Sequence, residues 1–226
     1  MEIGGPRSSS RVRAELYDRI WMGSSRRVRT LAAATLAAFL AVGSALAAGR
    51  PDPKRMTLRL SDLPPHLVLV QKETGRYDAA RAARTDSVAV SVFKTHGYVV
   101  GYELDATRRG GLGGDLSAGP FQVISATSLW RTAAGARWSL ARTVKSSQAR
   151  HFQALSTGGR IGAESHLYSY TLQEGDHLFR VYALGWRDGR VRATVLVSGI
   201  QTAVTPREAV RLARKQERLI RSELNS

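Results

Sequence analysis

Between residues 164 and 198, three runs of alternating apolar and polar side chains are separated by two-residue turn signals. Residues 164–173 and 178–187 flank Gly175-Asp176, and Asp188-Gly189, a favoured type I′ pair, leads into residues 190–198. Such short connections cannot join parallel strands, so this stretch is committed to an antiparallel meander. With two-residue turns at both places, Tyr170 faces Val181, Tyr168 faces Ala183, and His166 and Arg192 both face Gly185. One side of the ribbon then carries Leu184, Trp186, Val195 and Val197, the expected core face, with Trp186 buried. The other carries His166, Tyr168, Tyr170, Arg187 and Arg192 around the small Ala183 and Gly185. Two readings of that second face stand: an open aromatic and arginine ligand surface, or a face covered by a loop or helix.

The flanking chain supplies the remaining elements. Leu67–Val70 reads as a short strand, 97–104 as a longer one, and 121–130 as another. Residues 87–94 fit either a strand on Val88, Val90 and Val92 or a short helix capped by Asp86, and residues 73–87 and 146–162 show no clear period. Residues 108–120, with Gly110, Gly111, Gly113, Gly114 and Gly119, read as a loop. Thr132 is placed to cap a helix to about Lys145, and Thr205-Pro206 to open a final helix to about Leu224. Strands gathered into hairpins with separated helices imply an α+β fold: an antiparallel sheet of about five strands, with two main helices packed on one face.

Ahead of that domain lies a different kind of segment. Residues 1–30 are polar and arginine-rich, and residues 31–48 are apolar and uncharged. Near the end of that run Ala45-Leu46-Ala47 is a small-residue processing site, so residues 1–47 are expected to be a signal peptide cleaved between Ala47 and Ala48. Met22 offers a more compact start, and Arg26-Arg27 leaves twin-arginine export beside the general route. The 18-residue length is also at the short edge of a membrane span, so an uncleaved anchor is the competing reading. Residues 48–56 are expected to be a linker and 57–226 one domain, placed outside the cytoplasm.

Charge narrows the partners. The chain has 34 Lys+Arg against 18 Asp+Glu, a net charge of +16. Residues 1–47 contain 7 of the basic and 3 of the acidic residues, so residues 48–226 remain at +12. In the final helix Arg207, Arg211, Arg214, Arg218 and Arg221 fall on one stripe, opposite Ala209, Leu212, Ala213, Gln216 and Ile220. That stripe is either a solvated face or a contact for anionic lipid or cell-wall polymer. No nucleic-acid partner is expected, since no helix-turn-helix, zinc-finger or RNP pattern is present.

Several chemistries lack support. With zero Cys there is no disulfide, thiolate metal site or Cys nucleophile. His66, His96, His151, His166 and His177 are scattered without metal-ligand spacing. Ser91-Val92-Phe93-Lys94 matches S-x-x-K, but its companion motifs are missing, and the glycine cluster at 110–114 lacks the Lys-Ser/Thr of a P-loop. No catalytic, metal or cofactor-binding residue is assigned and no cofactor is expected; an enzyme with a dispersed site is the alternative.

Asp62-Leu63-Pro64-Pro65, Gly97-x-x-x-Gly101-Tyr102, Ile161-Gly162-Ala163-Glu164-Ser165, Trp186-Arg187-x-Gly189-x-Val191-x-Ala193 and Leu212-Ala213-Arg214-Lys215-Gln216 follow in order across residues 56–222. This succession resembles a group of uncharacterised exported bacterial envelope domains, and is more distantly similar to the extracellular sensor domains of bacterial serine/threonine kinases. The resemblance implies a non-catalytic binding or sensor-like domain at the cell envelope. It transfers no catalytic residues. Lipoprotein members of such groups carry an N-terminal Cys that this chain lacks.

Overall fold

A computed structural model describes residues 51–226 except 87, 112–114 and 175; the apolar run and the Ala47/Ala48 site lie outside the described residues. Eight strands, not about five, form one antiparallel sheet: β1 (Leu67–Leu69), β2 (Gly75–Tyr77), β3 (Tyr98–Arg108), β4 (Gln122–Trp130), β5 (Gln153–Leu155), β6 (Glu164–Glu174), β7 (His177–Asp188) and β8 (Val191–Ile200). Their order is β1-β3-β4-β8-β7-β6-β5, with β2 sharing the outer edge of β3 with β1. The helices are α1 (Ala79–Asp86), α2 (Val90–Thr95), α3 (Ala133–Ala149) and α4 (Pro206–Leu224). Among the described residues no helix is long and apolar enough to cross a membrane.

The β6–β7 pairing is as the alternation dictates: His166↔Gly185, Tyr168↔Ala183 and Tyr170↔Val181. The next hairpin differs. Asp188 pairs Val191, so the turn is Gly189-Arg190, Arg192 faces Arg187, and Gly185 faces Thr194. Gly189 takes a positive φ of 51° and Asp188 does not. A positive φ at the first central position alone suits Gly followed by any residue, whereas a turn on Asp188-Gly189 needs positive φ at both. The slip is two residues along β8, so every side chain keeps its face.

The helices lie on both faces, not on one. α4 covers the side bearing Leu184, Trp186, Val195 and Val197 with Ala209, Leu212, Ala213 and Ile220, while Met56 and Leu58 complete that core. α3 lies on the opposite side, where Leu140 comes close to Gly185: a Cβ there would sit 3.3 Å from Leu140 Cδ1. The second face also carries apolar side chains that need cover, among them Phe179, Val181 and Leu196, and Leu116 and Phe152 pack against that cluster beside α3. At the N-terminus of α3, Thr132 Oγ1 accepts from the Gly135 N–H at 3.1 Å, whereas Thr205 makes no side-chain cap on α4.

Other segments take a definite form here. Residues 73–87 contain β2 and α1, and 87–94 resolves into α2 with Ala89, not Asp86, at its N-cap. β5 sits within 146–162 as an edge strand of three residues, too short to show alternation. The expected linker docks well before residue 57: Pro53 is buried and Met56 fully so.

Candidate functional site

The end of the α3 face nearest β3 is not filled by α3. There β2, α1 and α2 fold over β3 and β4 and leave a cavity of about 380 Å³. Tyr77 roofs it because Gly101 on β3 has no side chain; a Cβ at Gly101 would stand 2.2 Å from the Tyr77 ring. α2 delivers Phe93, which stacks on Trp130 at 5.8 Å between ring centroids and meets Tyr98 edge-on at 5.7 Å. Trp138 of α3 closes the cluster behind Phe93, with the His96 ring stacked on it at 3.9 Å. Ala126 and Ser128 of β4, and Ser139 of α3, supply small side chains, and the space that results is the cavity.

Its polar lining is cationic in excess: Lys72, Arg81, Arg84 and Arg192 against Glu73 and Glu103. Arg81 Nη2 donates to Glu103 Oε1 at 3.1 Å and to the Glu73 carbonyl at 2.8 Å, and its guanidinium lies over the Tyr77 ring. Arg192 is 6% exposed and donates to Thr143 Oγ1 at 2.8 Å. The Tyr98 hydroxyl donates to the Tyr77 carbonyl at 3.1 Å, and burial pushes its pKa far above the ordinary tyrosine value, so it stays a neutral donor. A cavity of this size that joins an aromatic wall to several convergent polar groups is a form small-molecule sites take.

Of the five residues expected on a ligand face, only Arg192 lines this cavity. Tyr168 and Tyr170 are buried, and Tyr170 stacks on Phe152 beyond the end of α3 at 4.2 Å. His166 is partly exposed at the sheet edge, 3.3 Å from Glu164 Oε1, and Arg187 donates to the other Glu164 oxygen at 2.9 Å. Burial alone would raise the Glu164 carboxyl; the bonds from Arg187 and His166 outweigh it and hold the group below its ordinary range. Leu140 of α3 packs over Gly185, so α3 covers that part of the face, while Ala183 stays half-buried. Tyr77, Arg81 and Phe93 were missed. The available signal was the spacing of Ala79, Ala82 and Ala83, a narrow apolar stripe on an otherwise charged segment.

Arg207, Arg211, Arg214, Arg218 and Arg221 are all exposed on α4. Arg221 is held by Glu217 at 2.8 Å and Asp188 at 3.5 Å. The other four line a groove of about 460 Å³ against the loop Ser156, Thr157 and Gly158, where Arg214 Nη2 donates to the Gly158 carbonyl at 3.1 Å. Among the described residues no three His, Asp or Glu side chains gather in a set able to hold a metal.

No protein-family model and no curated protein matches the chain. Among solved structures it is similar to the crystal structure of the extracellular domain of PknH from Mycobacterium tuberculosis, at a TM-score of 0.41 and 11% identity, covering 78% of this chain and 99% of that one. At that score the likeness carries no argument about function.

Proposed function

We propose that the chain is an exported, non-catalytic binding module of the cell envelope whose ligand site is the cavity under Tyr77. The cavity itself carries this reading: an aromatic-lined space of about 380 Å³ with more cations than carboxylates in its wall. Such a lining favours a small organic anion with a flat ring, its ring against Tyr98, Phe93 and Trp130 and its acid group toward Arg192 and Lys72. Two observations favour binding over catalysis. Glu73 and Glu103 both pair with Arg81, which withholds them from service as a general base. His166 and His177 lie outside the cavity lining.

An anionic naphthalenesulfonate fluorophore serves as the probe. It is expected to bind with one site per chain, and Ala126→Leu, which adds volume to the floor, should weaken it by roughly tenfold or more. Unchanged binding by a folded Ala126→Leu variant would remove the cavity from consideration. The export half of the reading has a separate check. Protein isolated from its native cells should begin at Ala48 by mass spectrometry. A cytoplasmic protein beginning at Met1 or Met22 would overturn it.

A further inference from the structure

A second site lies on the far side of the sheet from the cavity and does not depend on it. The cations of α4 divide into two sets. Lys215 pairs with Asp62 at 2.8 Å and Arg221 with Glu217 at 2.8 Å. Arg207, Arg211, Arg214 and Arg218 form no ion pair with any described residue, and these four are the ones that line the groove beside Ser156, Thr157 and Gly158. They recur at steps of four, three and four, so they lie along a line about 16 Å long at 1.5 Å rise per residue. A single small anion meets one or two such groups; an extended anionic surface meets the whole line.

The path of the chain says which surface. The Asp52 N–H donates to Glu223 Oε1 at 2.9 Å, and Arg55 lies 3.9 Å from the same carboxylate, so the chain enters the fold at the C-terminal end of α4. Residues 49–51 reach at most about 10 Å, and before them stands the apolar run 31–48. Retained as an anchor, that run holds a membrane at the end of the helix that carries Arg218; cleaved after Ala47, it leaves the contact to the line of four arginines itself.

We propose that the groove between α4 and the Ser156–Gly158 loop lies against an anionic membrane, its guanidiniums bonding lipid phosphates. Guanidinium suits this because its fork takes two oxygens of one phosphate. The attraction is screened within about 10 Å at 0.1 M salt, so contact is needed.

The test is flotation of the full-length chain with phosphatidylcholine vesicles, with and without phosphatidylglycerol. The apolar run contributes to both kinds alike, and the arginine-rich residues 1–30 add an anionic preference that is the same in every variant, so the readout is the change, from parent to variant, in the excess binding to the anionic ones. That excess should be present at low salt and lost at high salt. The combined variant Arg207→Gln, Arg211→Gln, Arg218→Gln should weaken it roughly 100-fold, at about fivefold per near-surface charge, while the same three changes to Lys keep most of it. Ser156→Glu, which sets a carboxylate in the groove without touching α4, should also weaken it and covers the case in which the Gln variant misfolds. Equal binding by parent and Gln variant, or no preference for phosphatidylglycerol, would overturn the proposal. So would a Gln variant that loses the parent's binding to soluble polyphosphate while its vesicle binding stays intact, which would assign the groove to a polymer.

Discussion

Replacing Trp186 with alanine should destabilise the domain by about 3–5 kcal/mol, the range for deleting a large aromatic from a core. The indole is 0% exposed. It stands in β7 between Ser165 of β6 and Ala193 of β8, and a Cβ at Gly162 would come within 2.9 Å of it. Small residues on three sides make room for the ring, and they cannot close the space it leaves, because two belong to paired strands. The cavity term therefore remains in full. For a domain whose total stability is about 5–15 kcal/mol, a loss of this size leaves a large unfolded fraction at modest denaturant concentration. A loss under about 1 kcal/mol in a urea titration would mean that the ring is not the centre of the α4 face.

Trp186→Phe separates packing from polarity. Trp186 Nε1 donates to Glu217 Oε2 at 2.7 Å, and the Arg221 Nε–H donates to the other oxygen at 2.8 Å. Burial raises the Glu217 carboxyl, with the neighbouring Asp188 adding to it; the Trp186 and Arg221 donors pull it back, and the net position is above its ordinary 4.5. A carboxyl raised in the folded state holds its proton more tightly there, so its ionisation costs stability as pH rises from 4.5 through the folded pKa. Losing the indole N–H raises that pKa further. The deficit of Trp186→Phe should thus be largest near neutral pH and shrink below about pH 4.5, where Glu217 is protonated in both states. A deficit independent of pH would mean that the bond to Glu217 contributes nothing beyond shape.

The meander and α4 were legible because each repeats one rule many times. β6 and β7 pair as their alternation requires across all eleven positions from Glu164↔Arg187 to Glu174↔His177. α4 places its arginines and its apolar residues where a 3.6-residue period puts them. The cavity was not legible, because its parts come from elements too short to have a period: β2 of three residues and α2 of six. Tyr77, Arg81 and Phe93 converge only after α1 and α2 fold back over Gly101, and that placement is set by tertiary contact. The turn at Gly189-Arg190 was misread by one residue because Asp-Gly is a strong local signal, and Gly189 satisfies the turn equally well from the first central position. Placing both helices on one face failed for a different reason. Alternation assigns side chains to faces, but it does not say which of two apolar faces a given helix will cover.

A buried polar side chain on the apolar side of α4 gives the other large expected effect. Gln216 is 0% exposed. Its Oε1 accepts from Ser125 Oγ at 2.8 Å, and its Nε2 donates to Thr127 Oγ1 at 2.8 Å and to the Ala126 carbonyl at 3.2 Å. The chain of bonds continues into residues 53–58. Ser125 Oγ accepts the Leu58 N–H at 3.2 Å, Thr57 Oγ1 lies 3.0 Å from Thr127 Oγ1, and Thr127 Oγ1 lies 3.3 Å from the Met56 carbonyl. Gln216→Met keeps the volume and strands buried polar groups on β4, at about 1–3 kcal/mol each, so a total of about 2–4 kcal/mol is expected. Because the groups share partners, Thr127→Val combined with Gln216→Met should cost less than the two changes separately, by about 0.5–3 kcal/mol. Strict additivity would mean that the bonds act independently. The network also fastens the segment that enters beside Glu223, and Lys54 and Arg55 on it are exposed. Gln216→Met should accordingly speed tryptic cleavage at these two residues under native conditions, by a factor that follows the rise in the locally open population. If cleavage there keeps the parent rate while global stability falls, the segment is held by Met56 and Leu58 in the core and not by the polar line through Gln216.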